Sequence, residues 1–214
     1  SWVWHIVDAL VAQVHDAACL RNALDISADM PDKVCDVAVA VDYLDRLIAK
    51  AKGARFAQHS LYHSLGYFSV VALARLQCSL GEYEKALQTA APIDVSTKGL
   101  YSRVVACHVT LFHTLAMCHF MTRQHASAVT VAASVIHFVQ RTKQFHQRAP
   151  YFHVMTFAQE RLYALLGLCA ALYSTVLDEQ LRASVRDKFG ETMVRVTRGD
   201  ADAFEDLFLK ACPR

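Results

Sequence analysis

The chain has 214 residues, with 22 basic against 20 acidic side chains, and 54% of it is hydrophobic. A mean hydropathy of +0.21 is high for a domain that faces water on all sides. A net charge of +2 excludes a nucleic-acid binder driven by bulk charge and leaves a local patch as the remaining route to nucleic acid. The length suits one large domain or two small ones, and 4 Pro and 7 Gly spread without a low-complexity run point to one continuous array.

Residues Trp2 to about Leu20 predict a helix whose shared face carries Trp2, Ile6, Leu10 and Val14. A polar break over Asp25–Lys33, containing Pro31, separates it from a second helix running from about Asp32 to Lys52 and ended by Gly53. Together these make an N-terminal part, residues 1–55.

The next stretch organises the chain. Leu61, Leu65, Phe68, Ala72 and Leu76 recur at steps of three and four. They are followed by the break Ser79-Leu80-Gly81-Glu82 and a second arm with Tyr83, Ala86, Leu87 and Ala90. Gly81 suits a positive φ, and the alanines suit two helix backbones in close approach. A shift of 42 residues places Tyr83 on His125, Ala86 on Ala128 and Ala90 on Ala132. The chain therefore predicts two tetratricopeptide-like hairpins over residues 56–142, from about Phe56 to Ala91 and Tyr101 to Gln140. The period exceeds the roughly 34 residues of the standard repeat, and the connector Pro92–Leu100 absorbs the difference. The second turn, Thr122-Arg123-Gln124-His125, lacks the glycine. No charged residue stands between Arg103 and Arg123, or from Leu162 to Leu177. Three histidines and two threonines in the first run argue for a covered helix over a membrane span, and surface this apolar predicts a partner protein as cover.

The remainder, residues 143–214, predicts a basic, aromatic-containing loop over Arg141–Pro150 and a long helix from Tyr151 to about Ser174. A short helix capped by Asp178 stops at Gly190. A basic stretch with helical character, Thr192–Arg198, precedes a last helix, Ala201–Ala211, capped by Asp200. In the loop, Arg141, Lys143 and Arg148 flank Phe145, and cations beside an aromatic suit single-stranded RNA or a partner. A solvated connector with one tucked aromatic has the same composition. The fold class expected is all-α, a right-handed stack of antiparallel helical hairpins.

Catalytic chemistry finds little support. His59 and His63 have zinc-clamping spacing, but Ser60 stands where a metalloprotease needs Glu. His15 and Cys19 share that spacing without a third ligand. Cys107-His108 and Cys118-His119 are sequence neighbours, so their side chains diverge by roughly 100° around a helix and cannot form a nucleophile–base pair. No glycine loop cradles a phosphate. We expect no catalytic residue, no metal and no cofactor. Seven cysteines without paired spacing predict reduced thiols and a cytoplasmic location. The chain opens Ser1-Trp2-Val3-Trp4 without Met and reads as a fragment.

Several runs carry a family resemblance: HSLYHSLGYFSVVALARLQCSLGEYEKAL (59–87), YSRVVACHVT (101–110), VIHFVQRTK (135–143), RDKFGETMVRVTRGD (186–200) and GDADAFEDLFLKACP (199–213). In this order they resemble subunit L of eukaryotic translation initiation factor three, well over residues 58 to 213 and weakly before. The resemblance implies a non-catalytic scaffold whose helical repeats lead into a PCI domain, with the winged-helix part still to come after Arg214. It implies sibling subunits E and K as partners, and contact with the small ribosomal subunit in the 43S preinitiation complex. The connector Pro92–Leu100 and the loop at Ala149-Pro150 depart from the family. A scaffold of another PCI assembly, of the proteasome lid or signalosome type, is the alternative. A small enzyme with a His/Cys site is a third reading.

Overall fold

A computed structural model of the chain describes residues 2–24, 36–53, 59–93, 103–146, 152–173 and 177–213, the side chains of 20–24, 143–146 and 153–154 excepted. Among the described residues the protein is all-α, with nine helices and no strand: α1 (Trp2–Leu24), α2 (Val37–Lys52), α3 (Ser60–Ser79), α4 (Tyr83–Ala90), α5 (Val105–Met121), α6 (His125–His146), α7 (Phe152–Leu172), α8 (Glu179–Thr197) and α9 (Ala201–Ala211). They fall into two compact units, Ser1–Cys107 and His108–Pro213.

In the first unit α1 and α2 both pack on α3. Val7, Val11 and Val14 of α1 meet Ala40 and Leu44 of α2 and Ala72, Leu73 and Leu76 of α3 in one apolar cluster. The rings of Trp4 and Phe68 meet edge to face, 5.7 Å between centroids. An Asp8–Arg75 ion pair ties α1 to α3 across 67 residues of sequence. The buried face of α1 is therefore Val3, Trp4, Val7, Val11 and Val14. This corrects the predicted face, since Trp2 and Ile6 are 66% and 61% exposed. Both sets have helical spacing, and the partner α3 decides which is covered. Leu61 is likewise exposed at the start of α3, while Phe68, Ala72 and Leu76 are buried as their spacing predicts.

At Gly66 helices α2 and α3 come into close approach. A Cβ added there would collide with the Cβ of Ala51 on α2. Hydrogen in place of a methyl is what lets α2 and α3 cross at this point. Asp36 starts α2 by accepting a hydrogen bond from the Ala38 amide at 2.8 Å, so the helix begins several residues later than its polar break suggested. Gly53 follows its last residue in an extended conformation.

The two predicted hairpins have the same turn, bond for bond. In the first, Gly81 has φ 82°. The Gly81 amide donates to the Cys78 carbonyl (3.1 Å), Glu82 to Gln77 (2.9 Å) and Ala86 to Glu82 (2.9 Å). In the second, 42 residues on, Arg123 has φ 62°. Arg123 donates to Phe120 (3.0 Å), Gln124 to His119 (2.8 Å) and Ala128 to Gln124 (3.0 Å). The Glu82 and Gln124 bonds are the six-to-one closure of a Schellman cap, which ties off the orphan carbonyls of the first arm. Ala86, Ala90, Ala128 and Ala132 are all buried, the small-residue positions that the repeat requires.

A third turn of this kind joins α8 to α9. Gly199 has φ 87°, and its amide donates to Val196 (3.0 Å), Asp200 to Arg195 (3.1 Å) and Phe204 to Asp200 (3.1 Å). Here Asp200 also caps α9 through the Ala203 amide at 3.1 Å and accepts from Arg195 Nε at 2.8 Å. Measured from the left-handed residue, the buried positions Ala203, Leu207 and Ala211 come one residue earlier than the buried alanines of the first two copies. The turn repeats while the buried face rotates by roughly 100°.

The second unit is built on α7. Its run Leu162–Leu166, with Leu168 and Cys169, is buried throughout, and α6, α8 and α9 all pack on it. Tyr163 Oη accepts from Gln140 of α6 at 2.9 Å, and Lys188 of α8 lies over its ring at 5.7 Å. His113 of α5 holds the C-terminal end of α9, Nε2 donating to the Ala211 carbonyl at 2.8 Å, and Arg161 of α7 donates to the Cys212 carbonyl at 3.5 Å. A donor at the open end of a helix satisfies carbonyls that have no partner within it. The uncharged helix α5 is covered along most of its length. The apolar surface left open therefore lies elsewhere, at Trp2, Ile6, Phe157, Val194 and Leu209 among others. No helix among the described residues is long and apolar enough to cross a membrane.

Candidate functional site

The segment predicted as a basic loop is helical over its first six residues. Arg141, Thr142, Lys143, Gln144, Phe145 and His146 are compatible with helix and simply continue α6. Arg141 is exposed and its Nε donates to the His137 carbonyl one turn back, at 3.3 Å. Lys143 and Phe145 sit on the last turns of α6, with their side chains outside the described residues. Arg148 and Tyr151 also lie outside them. Arg141, Lys143 and Phe145 are thus placed along one helix end, at positions that no longer bracket the aromatic in a loop.

A groove of about 700 Å³ lies along α7 and α8. It exists because α8 does not stop at Gly190. The glycine sits inside the helix, which runs on to Thr197, and it leaves the middle of the groove without a side chain. Asp178 starts α8 by accepting from the Gln180 and Leu181 amides at 2.7 and 3.1 Å. These bonds, led by the one from Leu181 and joined by the nearby His137, hold its carboxyl below the usual range. Upstream, Gly167 of α7 faces Val185 and Met193 at ordinary van der Waals distance.

The groove floor is apolar, with Ala170 and Ala171 from α7 and Leu177, Met193 and Val194 from the α8 side. Arg182, Arg186 and Arg198 also line it, and among the described residues no Asp or Glu does. Arg182 is partly anchored, donating to the Leu177 carbonyl at 3.3 Å and lying 3.7 Å from Glu179. Arg186 and Arg198 are exposed and make no ion pair among the described residues. Sequence reasoning missed this site because it ended α8 at Gly190. The available signal was Arg182 and Arg186 at i and i+4 beside the apolar Val185.

The nucleophile candidates are poorly placed for chemistry. Cys107, Cys118 and Cys169 are buried. Burial drives the Cys107 thiol far above its ordinary value and that of Cys169 up to about 12, so neither forms a thiolate near neutrality. His108, 8% exposed, lies against Phe112 and Phe138 with ring centroids at 4.6 and 4.2 Å, and burial lowers its pKa to about 4. His59 and His63 are exposed on the first turn of α3. Among the described residues no group of three His, Cys, Asp or Glu is gathered to hold a metal.

Comparison with known proteins fixes the family. The sequence model of the family described as RNA polymerase I-associated factor PAF67 matches residues 1–214. The chain belongs to the PAF67 family. Its relatives include proteins named eukaryotic translation initiation factor 3 subunit L. The chicken and mouse (Gallus gallus and Mus musculus) proteins are 31% identical to it, and the human protein is 30% identical. Each match covers 100% of this chain and 42% of the relative, so this PAF67-family chain spans less than half the length of those proteins. The aligned stretch is 240 residues long, and the relatives therefore carry extra residues within it.

Proposed function

We propose that the protein is a non-catalytic scaffold subunit of a translation initiation factor three complex. In this reading it binds sibling PCI subunits, with E and K as neighbours, and reaches the small ribosomal subunit through that complex during initiation in the cytoplasm. The observation that carries the reading is the end-to-end match to subunit L proteins at 30–31% identity. Two turns identical bond for bond and exposed apolar side chains on α1, α7 and α9 suit a chain that works by packing against others. RNA contact at Arg141, Lys143, Phe145 and Arg148 remains part of this proposal, resting on composition alone.

The test is affinity purification of the epitope-tagged full-length protein from its own cells, with quantitative mass spectrometry. The expected companions are initiation factor three subunits, E and K among them, in near-equal amounts. The family description supports a second reading, association with RNA polymerase I. Recovery of polymerase subunits without initiation factor subunits would select it.

A further inference from the structure

We propose that the groove along α7 and α8 is a docking site for an acidic amphipathic helix of a partner protein. Its chemistry has two parts that must be met together. The floor, where Leu177 is already buried but Met193 is partly open and Val194 half exposed, gains by covering with apolar side chains. The rim of Arg186 and Arg198, beside an Arg182 already partly held by Glu179, has no Asp or Glu among its described lining residues and gains by meeting Asp or Glu. An arginine fork matches a carboxylate with two parallel hydrogen bonds.

A helix with anchors at i, i+3, i+4 and i+7 and acids along their flank satisfies both parts at once. Single-stranded RNA satisfies just one of them. It would use the arginines, but among the described residues no Phe, Tyr or Trp lines the groove to stack a base, and the apolar floor would stay uncovered. A helix is also the form of peptide that brings its own backbone hydrogen bonds, which suits a floor of side chains with no strand edge among the described residues. Methionine on the floor adapts to such a guest, as it does on other peptide-binding surfaces.

This inference goes beyond the initiation-factor reading and does not depend on it, because the test needs no other subunit. The purified full chain is titrated with a fluorescein-labelled designed peptide of about four helical turns, leucine-faced and glutamate-flanked, and followed by fluorescence anisotropy. Three controls accompany it: a scrambled peptide, the same helix with lysine in place of glutamate, and labelled oligouridine. The glutamate peptide is expected to bind, and the scrambled and lysine peptides to bind at least roughly tenfold more weakly. Val194→Asp should weaken the glutamate peptide. The double variant Arg186→Glu/Arg198→Glu should lose the glutamate peptide and gain the lysine peptide, an exchange that misfolding cannot mimic. Three outcomes would overturn the proposal: no binding of the glutamate peptide, binding indifferent to these substitutions, or tighter binding of oligouridine that Val194→Asp leaves intact.

Discussion

Gly81 and Arg123 stand at the same left-handed backbone position of two turns 42 residues apart, with φ of 82° and 62°. Glycine adopts this conformation freely, whereas a residue with a Cβ is strained by roughly 1–2 kcal/mol. The second hairpin thus keeps the turn at a cost, because the Gln124–His119 closure needs it. Gly81→Ala is expected to destabilise the protein by about 1–2 kcal/mol. Arg123→Gly is expected to stabilise it, since relief of strain exceeds the added freedom of the unfolded chain, about 0.4–1 kcal/mol. Urea denaturation of both variants checks the pair. A stabilising Gly81→Ala or a destabilising Arg123→Gly would mean that the two turns do not share their energetics.

Helix crossings make a second prediction through two glycines that behave oppositely. Gly66→Ala drives a methyl into Ala51, and overpacking of about 1–3 kcal/mol outweighs a gain in helix propensity of about 1 kcal/mol. Gly167→Ala meets Val185 and Met193 at 3.6–3.7 Å, a distance that needs no adjustment. It should be neutral or stabilising by up to about 1 kcal/mol. In thermal melts Gly66→Ala should fall and Gly167→Ala should hold or rise, and a Gly66→Ala that does not fall would contradict the crossing at Gly66. Ala86→Leu and Ala128→Leu, both at buried alanines, should each cost about 1–3 kcal/mol.

A pH dependence follows from His108. Its pKa is about 4 in the fold against about 6.5 in an unfolded chain. Between these values the unfolded state binds the extra proton, so stability falls as pH falls from 6.5 toward 4. The loss from this group is about 2 kcal/mol at pH 5, relative to neutral pH. The contribution becomes complete and flat about one pH unit above the unfolded value. His108→Leu should lower the slope of stability against pH across that window, measured by urea denaturation at pH 7 and pH 5. An unchanged slope would show that His108 carries no such linkage.

The helices and the 42-residue period were legible because they rest on local spacing. Ala86, Ala90, Ala128 and Ala132 announce the repeat by size alone. Asp178 and Asp200 announce helix starts through capping chemistry that needs only three residues. Other features depend on partners that spacing cannot name. Trp2 and Ile6 are as regular as Val3 and Val7, and contact with α3 chooses between them. The strained φ at Arg123 leaves no glycine as its mark. The turn at Gly199 was hidden because its buried face starts one residue early. Gly190 read as a stop, yet a helix interior tolerates one glycine when its neighbours pack, and with it the groove went unseen. The basic segment was read by charge, while its backbone followed the helix already under way from His125.

The proposed place of this chain is in a scaffold riding on the small ribosomal subunit. It is tested most directly by sedimenting formaldehyde-fixed extract from cells that carry the tagged full-length protein, and probing each sucrose-gradient fraction. The protein is expected to peak with the free small subunit and its initiation factors, and dissolving the ribosomes with EDTA before fixation should shift it to lighter fractions. A protein confined to the top of the gradient under both conditions would contradict it.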